Sequence, residues 1–346
     1  MIDLHAHYVS PSVIEEVKRA GSSLGPIYRE TDGSFELPSG PTRRLPPPLL
    51  DLKARDEWIA SEGISLQVLS PWLDLMPDDL GSEHSRAWVG VLNDCVAADI
   101  EDRSAYRAFA ALPLSSGEDA ASELERCVNS LGFVGATLPT QIRGRDLDVA
   151  GLEPLFEAAT ELDVPLFVHP GPVMAADRMR DRFLWNVCGN PFETTLAAVR
   201  LFLAGSFDRW PRLRLLLAHC GGALPFLAGR VWQAAASSPE IDKGVAVPVE
   251  VLEPFFYDCV VHDVDALAFA IRRVGVKRIC LGTDAPFPMR LTGASAHVHE
   301  ACKRAGLVGC DEEICEGSPL RLLGRDPAGA SAGLAHAPTS DMENST

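Results

Sequence analysis

Met1-Ile2-Asp3-Leu4-His5-Ala6-His7 opens the chain, a short apolar run that ends in His-x-His. Side chains two apart on a strand share a face, so a strand here projects His5 and His7 side by side into one space. Two neutral imidazoles at that spacing suit a first-row metal ion such as zinc. Alone the pair is a weak signal, because short His-x-His pairs also arise by chance. The chain outside it decides the matter.

Apolar runs that read as strands recur at 64–70, 106–112, 133–138, 164–169, 213–219, 255–261 and 277–284. Helical patterns fall between them, at 51–62, 82–102, 117–131, 152–162, 190–204, 222–236 and 264–274, with two more near 295–305 and 311–323. Eight apolar strands alternating with helices predict an α/β fold, a parallel (β/α)8 TIM barrel. Several strands are apolar throughout, as expected when both faces are covered. The 346 residues suit such a barrel, which takes about 250 plus insertions. A doubly wound open sheet is the alternative, but no GxGxxG follows the first strand. Residues 20–50, rich in Gly, Pro and Ser and carrying Arg43 and Arg44, predict an irregular insertion over the barrel mouth. The expected division is a barrel over 1–325 and a flexible tail of small and polar residues over 326–346.

Composition excludes several classes. A net charge of −17 argues against a nucleic-acid partner, whose phosphates need Lys and Arg. The same charge repels small anions, so a carboxylate substrate would need specific arginines at the site. There is no apolar run long enough to span a membrane, and no basic segment followed by an apolar one at the N-terminus. Nine cysteines without CxxC pairing suit a reducing cytoplasm. A cytoplasmic protein is the expectation.

Histidines or an aspartate close four of the predicted strands: His5 and His7, His169, His219 and Asp284. Barrel active sites are built at that rim from the ends of several strands. His5, His7, His169 and Asp284 make a shell of three nitrogens and one oxygen that leaves room for water or substrate. His219 sits in Ala218-His219-Cys220-Gly221-Gly222, where glycines allow close approach. It is placed either as a second-metal ligand or as a base on metal-bound water. A two-metal centre commonly needs a bridging carboxylated lysine on strand four, and residues 133–138 contain none. One metal, with His219 as acid/base, is therefore the expectation.

The motifs IDLHAH (2–7), FVHP (167–170), ETTLA (193–197), LAGSFDRWPRLRLLLAHCGG (203–222), FLAGR (226–230) and LGTDAPFP (281–288) resemble the amidohydrolase superfamily. Within it they are similar to the decarboxylases of carboxymuconate semialdehydes and resorcylates. That resemblance, over roughly residues 1–325, implies one divalent ion, zinc first and manganese second, on His5, His7, His169 and Asp284. It implies that His219 acts on metal-bound water; in a decarboxylase, Asp284 or that water would protonate the carbon that bears the carboxylate. It assigns Arg43 or Arg44 to the substrate carboxylate from within the chain, and Arg230 from the partner subunit of a homodimer or higher homo-oligomer. Trp185 and Phe287 are candidate pocket walls. The implied reaction is metal-dependent non-oxidative decarboxylation of a small aromatic or muconate-type acid. A hydrolase of a lactone, ester or amide, or a hydratase, would use the same shell. Two departures touch the lining: Gly171 stands where a tryptophan is expected after the strand-five His-Pro, and the last motif carries Ala285 where a tyrosine is expected.

Overall fold

A computed structural model of the chain describes residues 1–76, 79–241 and 251–324. Eight parallel strands form its centre: β1 (Ile2–His7), β2 (Leu66–Ser70), β3 (Tyr106–Ala108), β4 (Ala136–Pro139), β5 (Leu166–His169), β6 (Leu215–Leu217), β7 (Phe255–Asp258) and β8 (Ile279–Cys280). They pair in two runs, β1-β2-β3 and β4-β5-β6-β7-β8. Parallel bridges between Ala110 and Ala136 and between Ala6 and Ala285 join the runs into a closed ring. Leu4 N–H donates to the Leu281 carbonyl at 3.0 Å and His7 N–H to that of Ala285 at 2.7 Å, which completes the seam. The expected TIM barrel is present.

Ile2, Leu4, Leu66, Phe167, Leu216 and Phe256 belong to one apolar cluster that fills the barrel. A larger cluster, including Val13, Trp88, Leu155 and Leu267, lies between strands and helices. Helix Val264–Val274 shows how the outer layer is specified. The Asp263 carboxylate caps it by accepting from Ala266 N–H at 2.8 Å, and its Leu267, Ala268, Ala270 and Ile271 are buried. Burying each of the two large side chains stabilises by about 1.5–3 kcal/mol.

β1 carries one irregularity that matters to the site. Asp3 pairs with Gln67 and Ala6 with Leu69, so three steps on β1 match two on β2. The extra residue is a bulge, and it reverses the alternation of the strand. Ile2 and Leu4 therefore pack in the interior cluster, while His5 and His7 also turn inward, above it.

Several strands are shorter than their apolar runs. The runs 213–219, 255–261 and 277–284 contribute only 215–217, 255–258 and 279–280 to the ladder. Beyond them the amides of His219 and Cys220 turn to the Asp258 carboxylate and that of Thr283 to Asp3. The insertion is also not irregular. It folds as a small antiparallel sheet of Ile27–Arg29, Ser34–Leu37 and Gly40–Pro41, pinned by buried Phe35 against Trp88 with ring centroids 5.8 Å apart. Residues 326–346, expected as a flexible tail, lie outside the described residues.

Candidate metal centre

His5, His7, His169 and Asp284 come together as the sequence predicts, with one ligand atom from each lying within 4.8 Å of all the others. All four side chains are buried. His5 and His7 rings stand 5.2 Å apart, and His169 lies 5.1 Å from the first and 4.8 Å from the second. Phe167 packs beneath His5 at 4.9 Å, so the cluster rests on the apolar filling of the barrel.

Each imidazole is fixed through its Nδ1. His5 Nδ1 meets Asp258 Oδ2 at 2.6 Å, His7 Nδ1 the Pro71 carbonyl at 3.3 Å, and His169 Nδ1 the Pro170 carbonyl at 2.9 Å. All three partners are acceptors, so Nδ1 carries the proton and Nε2 is left as a lone pair. His5 Nε2 and His7 Nε2 stand 3.2 Å apart, and Asp284 Oδ1 lies 3.3 Å from both. Three acceptors facing one another at that distance require a positive charge among them. A divalent cation supplies it, and acceptors holding the far nitrogens are the usual support of metal-ligating histidines. The residues fit a metal.

Without one, a proton serves instead. Burial alone would depress the His5 imidazole, but Asp284 and Asp258 outweigh it and push it up to about 10. Burial keeps His7 below its ordinary value. Burial, then His7 and His5, hold His169 well below it. Burial works against the Asp284 carboxylate, yet His5 and His7 hold it well below the usual carboxylate range. Asp284 Oδ2 makes no hydrogen bond among the described residues.

His219 faces the same centre, with ring centroids 5.4 Å from His5 and 5.3 Å from His169. It is partly exposed, and its Nδ1 is enclosed with no partner. Burial and the charge on His5 push it down to about 4, so it is neutral near pH 7. His219 and Cys220 both adopt left-handed φ, 53° and 54°, a sparsely populated region for such residues. The turn is possible because Gly222 follows, where any Cβ would collide with the Pro191 carbonyl oxygen. A second close approach lies at Gly282, where a Cβ would fall 2.9 Å from that of His5 and 3.0 Å from that of Asp258.

The substrate-binding candidates separate. Arg43 is half-exposed and forms a two-point pair with Asp74, Nε to Oδ2 at 2.8 Å and Nη2 to Oδ1 at 2.6 Å. Its guanidinium lies 5.5 Å from the Trp72 ring and 4.6 Å from that of Trp185. Trp72 adjoins Pro71, the residue that holds His7, so Arg43 and Trp185 are tied to the rim of the site. Arg44 is exposed and has no ion pair among the described residues. Phe287 stands 5.1 Å from the His7 ring. Arg230 is exposed on helix Leu224–Ser237, away from any ion pair among the described residues.

Three buried residues went unrecognised in the sequence. Asp258 ends β7 and holds His5. Asp3 accepts His5 N–H at 3.1 Å, Gln67 Nε2 at 2.7 Å and Thr283 Oγ1 at 2.6 Å. Arg55 donates to the His7 carbonyl at 2.6 Å and to Gln67 Oε1 at 3.1 Å. Asp258 was within reach of the same rule that picked the histidines. Assigning the strand to 255–261 buried it mid-run instead of at the strand end.

An open cluster of three imidazoles and a carboxylate at the C-terminal rim of a closed barrel defines a metal-dependent barrel enzyme. The chain belongs to the amidohydrolase family, whose model matches residues 78–324. It is 33% identical over 245 residues to 2-amino-3-carboxymuconate-6-semialdehyde decarboxylase of Dictyostelium discoideum, covering 68% of this chain and 66% of that one. It is 30% identical over 310 residues to gamma-resorcylate decarboxylase of a Rhizobium species, covering 83% and 88% of the two. Its fold matches the dihydroxybenzoic acid decarboxylase of a Polaromonas species, solved with bound manganese and the inhibitor 2-nitroresorcinol. The TM-score is 0.73 at 26% identity, covering 93% and 96% of the two chains. These relatives are decarboxylases of the amidohydrolase superfamily, which supports a carboxy-lyase and favours decarboxylation over hydrolysis.

Proposed function

We propose that the chain is a metal-dependent, non-oxidative decarboxylase of a small aromatic or muconate-type carboxylic acid. The observation that carries this reading is a metal-ready cluster, with His5 Nε2, His7 Nε2 and Asp284 Oδ1 converging beside neutral His219, in a chain whose similar relatives are decarboxylases. His5, His7, His169 and Asp284 would hold a divalent ion, which when bound would supply Lewis-acid charge to the substrate. Zn2+ and Mn2+ both suit this donor set. The manganese in the Polaromonas enzyme supports the second.

The chain's own groups do the rest. Arg43, packed near the Trp72 and Trp185 rings with one edge of its guanidinium held by Asp74, offers its remaining N–H donors to the anionic end of a substrate. Phe287 and Trp185 line the rim with aromatic surface. Neutral His219 takes a proton from water and passes it on, and the Asp284 carboxylate, ionised at rest, relays it to the carbon that bears the carboxylate and returns to its ionised state. That carbon gains hydrogen, the C–C bond electrons return to the substrate framework, and CO2 leaves.

A second copy of the chain completes the assembly in this reading. Helices Asn190–Leu203 and Leu224–Ser237, the second carrying Arg230, pack together and expose Phe192, Leu196, Phe226 and Trp232, with Phe226 78% exposed. Apolar surface of that kind marks an association face. Nine free cysteines support a reducing, cytoplasmic location. No helix among the described residues is long and apolar enough to cross a membrane.

The test is turnover. Protein loaded with Zn2+ or Mn2+ is given hydroxybenzoates, aminobenzoates and carboxymuconate semialdehydes, and CO2 release is followed. Release that disappears in His219→Ala supports the proposal. Hydrolysis of lactones or amides with no CO2 from any acid overturns it.

A further inference from the structure

Among the described residues, the buried carboxylate of Asp258 has four donors, none of them a lysine or arginine. Oδ2 accepts from His5 Nδ1 at 2.6 Å and from the His219 amide at 2.9 Å. Oδ1 accepts from the Cys220 amide at 2.8 Å and the Val260 amide at 3.0 Å. Its side chain is fully enclosed. One group thus grips a candidate metal ligand and the two residues whose left-handed backbone aims His219 at the metal centre.

We propose that Asp258 is a positioning residue that couples metal binding to the placement of His219. The proposal rests on the metal-centre reading of the His5 cluster. Its logic is geometric. His5, in holding a metal, would have its ring fixed, and the ring holds Asp258 Oδ2 through Nδ1. The same oxygen holds the His219 amide, and its twin holds that of Cys220. Two strained residues in sequence are unstable without outside support, and this carboxylate supplies two of the hydrogen bonds that restrain them. The reverse holds as well: when the 219–220 turn opens, Asp258 is free to rotate, and His5 loses the acceptor that sets its tautomer.

Asp258→Asn keeps the shape but replaces one oxygen by an N–H2 donor. Whichever way the amide turns, one pair of donors meets a donor. Metal affinity and the His219 turn should therefore fail together. Mn2+ titration followed by electron paramagnetic resonance should show a dissociation constant raised about 10–100-fold, the range for lost outer support of a metal ligand. His219→Ala should leave that constant unchanged. At saturating metal, Asp258→Asn should lower kcat, and adding His219→Ala to it should cost much less than in the parent protein. Additive losses would refute action through His219.

The wild-type protein supplies a second test that does not depend on the variant folding or on any substrate. The amides of His219 and Cys220 both donate to Asp258, so their hydrogen exchange reports the coupling. Mass spectrometry of a peptide spanning 215–224 should show slower exchange when Mn2+ is bound. Exchange indifferent to metal, in a protein shown to bind it, overturns the coupling and leaves the decarboxylase reading untouched. Coupling without CO2 release from any acid would do the opposite.

Discussion

Acid should destabilise the metal-free protein through His219, and the size of the effect follows from its surroundings. His219 is held down to about 4, against 6.5 for an unfolded-state imidazole. A histidine with a depressed folded value binds fewer protons folded than unfolded. Its contribution to stability is therefore full above pH 6.5 and is lost as pH falls towards 4. Between pH 7 and pH 5 that loss is at most about 2 kcal/mol, and partial exposure of the ring trims it. For a barrel of this size the unfolding entropy is roughly 0.7 kcal/mol per degree, so Tm should fall by about 2–3 °C from this group. His169 and His7, also depressed, act in the same direction. His5 acts oppositely: raised to about 10, its contribution is lost above pH 7 as pH climbs towards that value. The assay is differential scanning of chelator-treated protein across pH 5–7, wild type beside His219→Ala. The stability difference between the two should shift by up to about 2 kcal/mol over that window, with the wild type losing more towards acid. A constant difference would mean that burial and the charge on His5 do not hold His219 below an ordinary imidazole.

Metal should stabilise the fold by mass action: at a hundredfold excess over Kd the gain is about 2.7 kcal/mol, or roughly 4 °C in Tm. Asp284→Ala, which removes the oxygen 3.3 Å from both His5 and His7, should abolish that shift while remaining folded. His219→Ala should keep the bound metal, measured by elemental analysis, and lower kcat about 10²–10⁴-fold. Arg43→Ala should raise KM for a carboxylate substrate more than it lowers kcat, since Arg43 lies at the rim beside Trp72 and Trp185; an unchanged KM would remove it from the site.

Much of the barrel was legible because its signal is repetitive. Eight apolar runs and the helices between them carry the alternation, and helices such as Gly117–Leu131 and Val264–Val274 fall at the expected residues because Ser116 and Asp263 cap them. The strand ends were harder to read. The side chains of Asp3 and Asp258 accept backbone amides beyond the strand ends, and nothing in the local pattern reveals partners more than thirty residues away. The bulge between Asp3 and Ala6 was equally hidden, though it decides which way His5 and His7 face. His5, His7, His169 and Asp284 were legible because polar groups interrupt apolar strands at one end. Asp258 was missed through an overlong strand. The insertion was misread because its Gly and Pro content outweighed Phe35, whose burial against Trp88 lies 53 residues along the chain and organises a small sheet.

In the proposed reaction these groups remove CO2 from a carboxylic acid by putting a proton on the carbon it leaves. The most direct measurement is turnover in D2O by metal-loaded protein, with CO2 and product followed together by mass spectrometry and proton NMR. Decarboxylation by these groups gives one CO2 per product, one deuterium at the vacated carbon, and neither in His219→Ala. Product formed without CO2, carrying instead the elements of water across an ester, lactone or double bond, would contradict it.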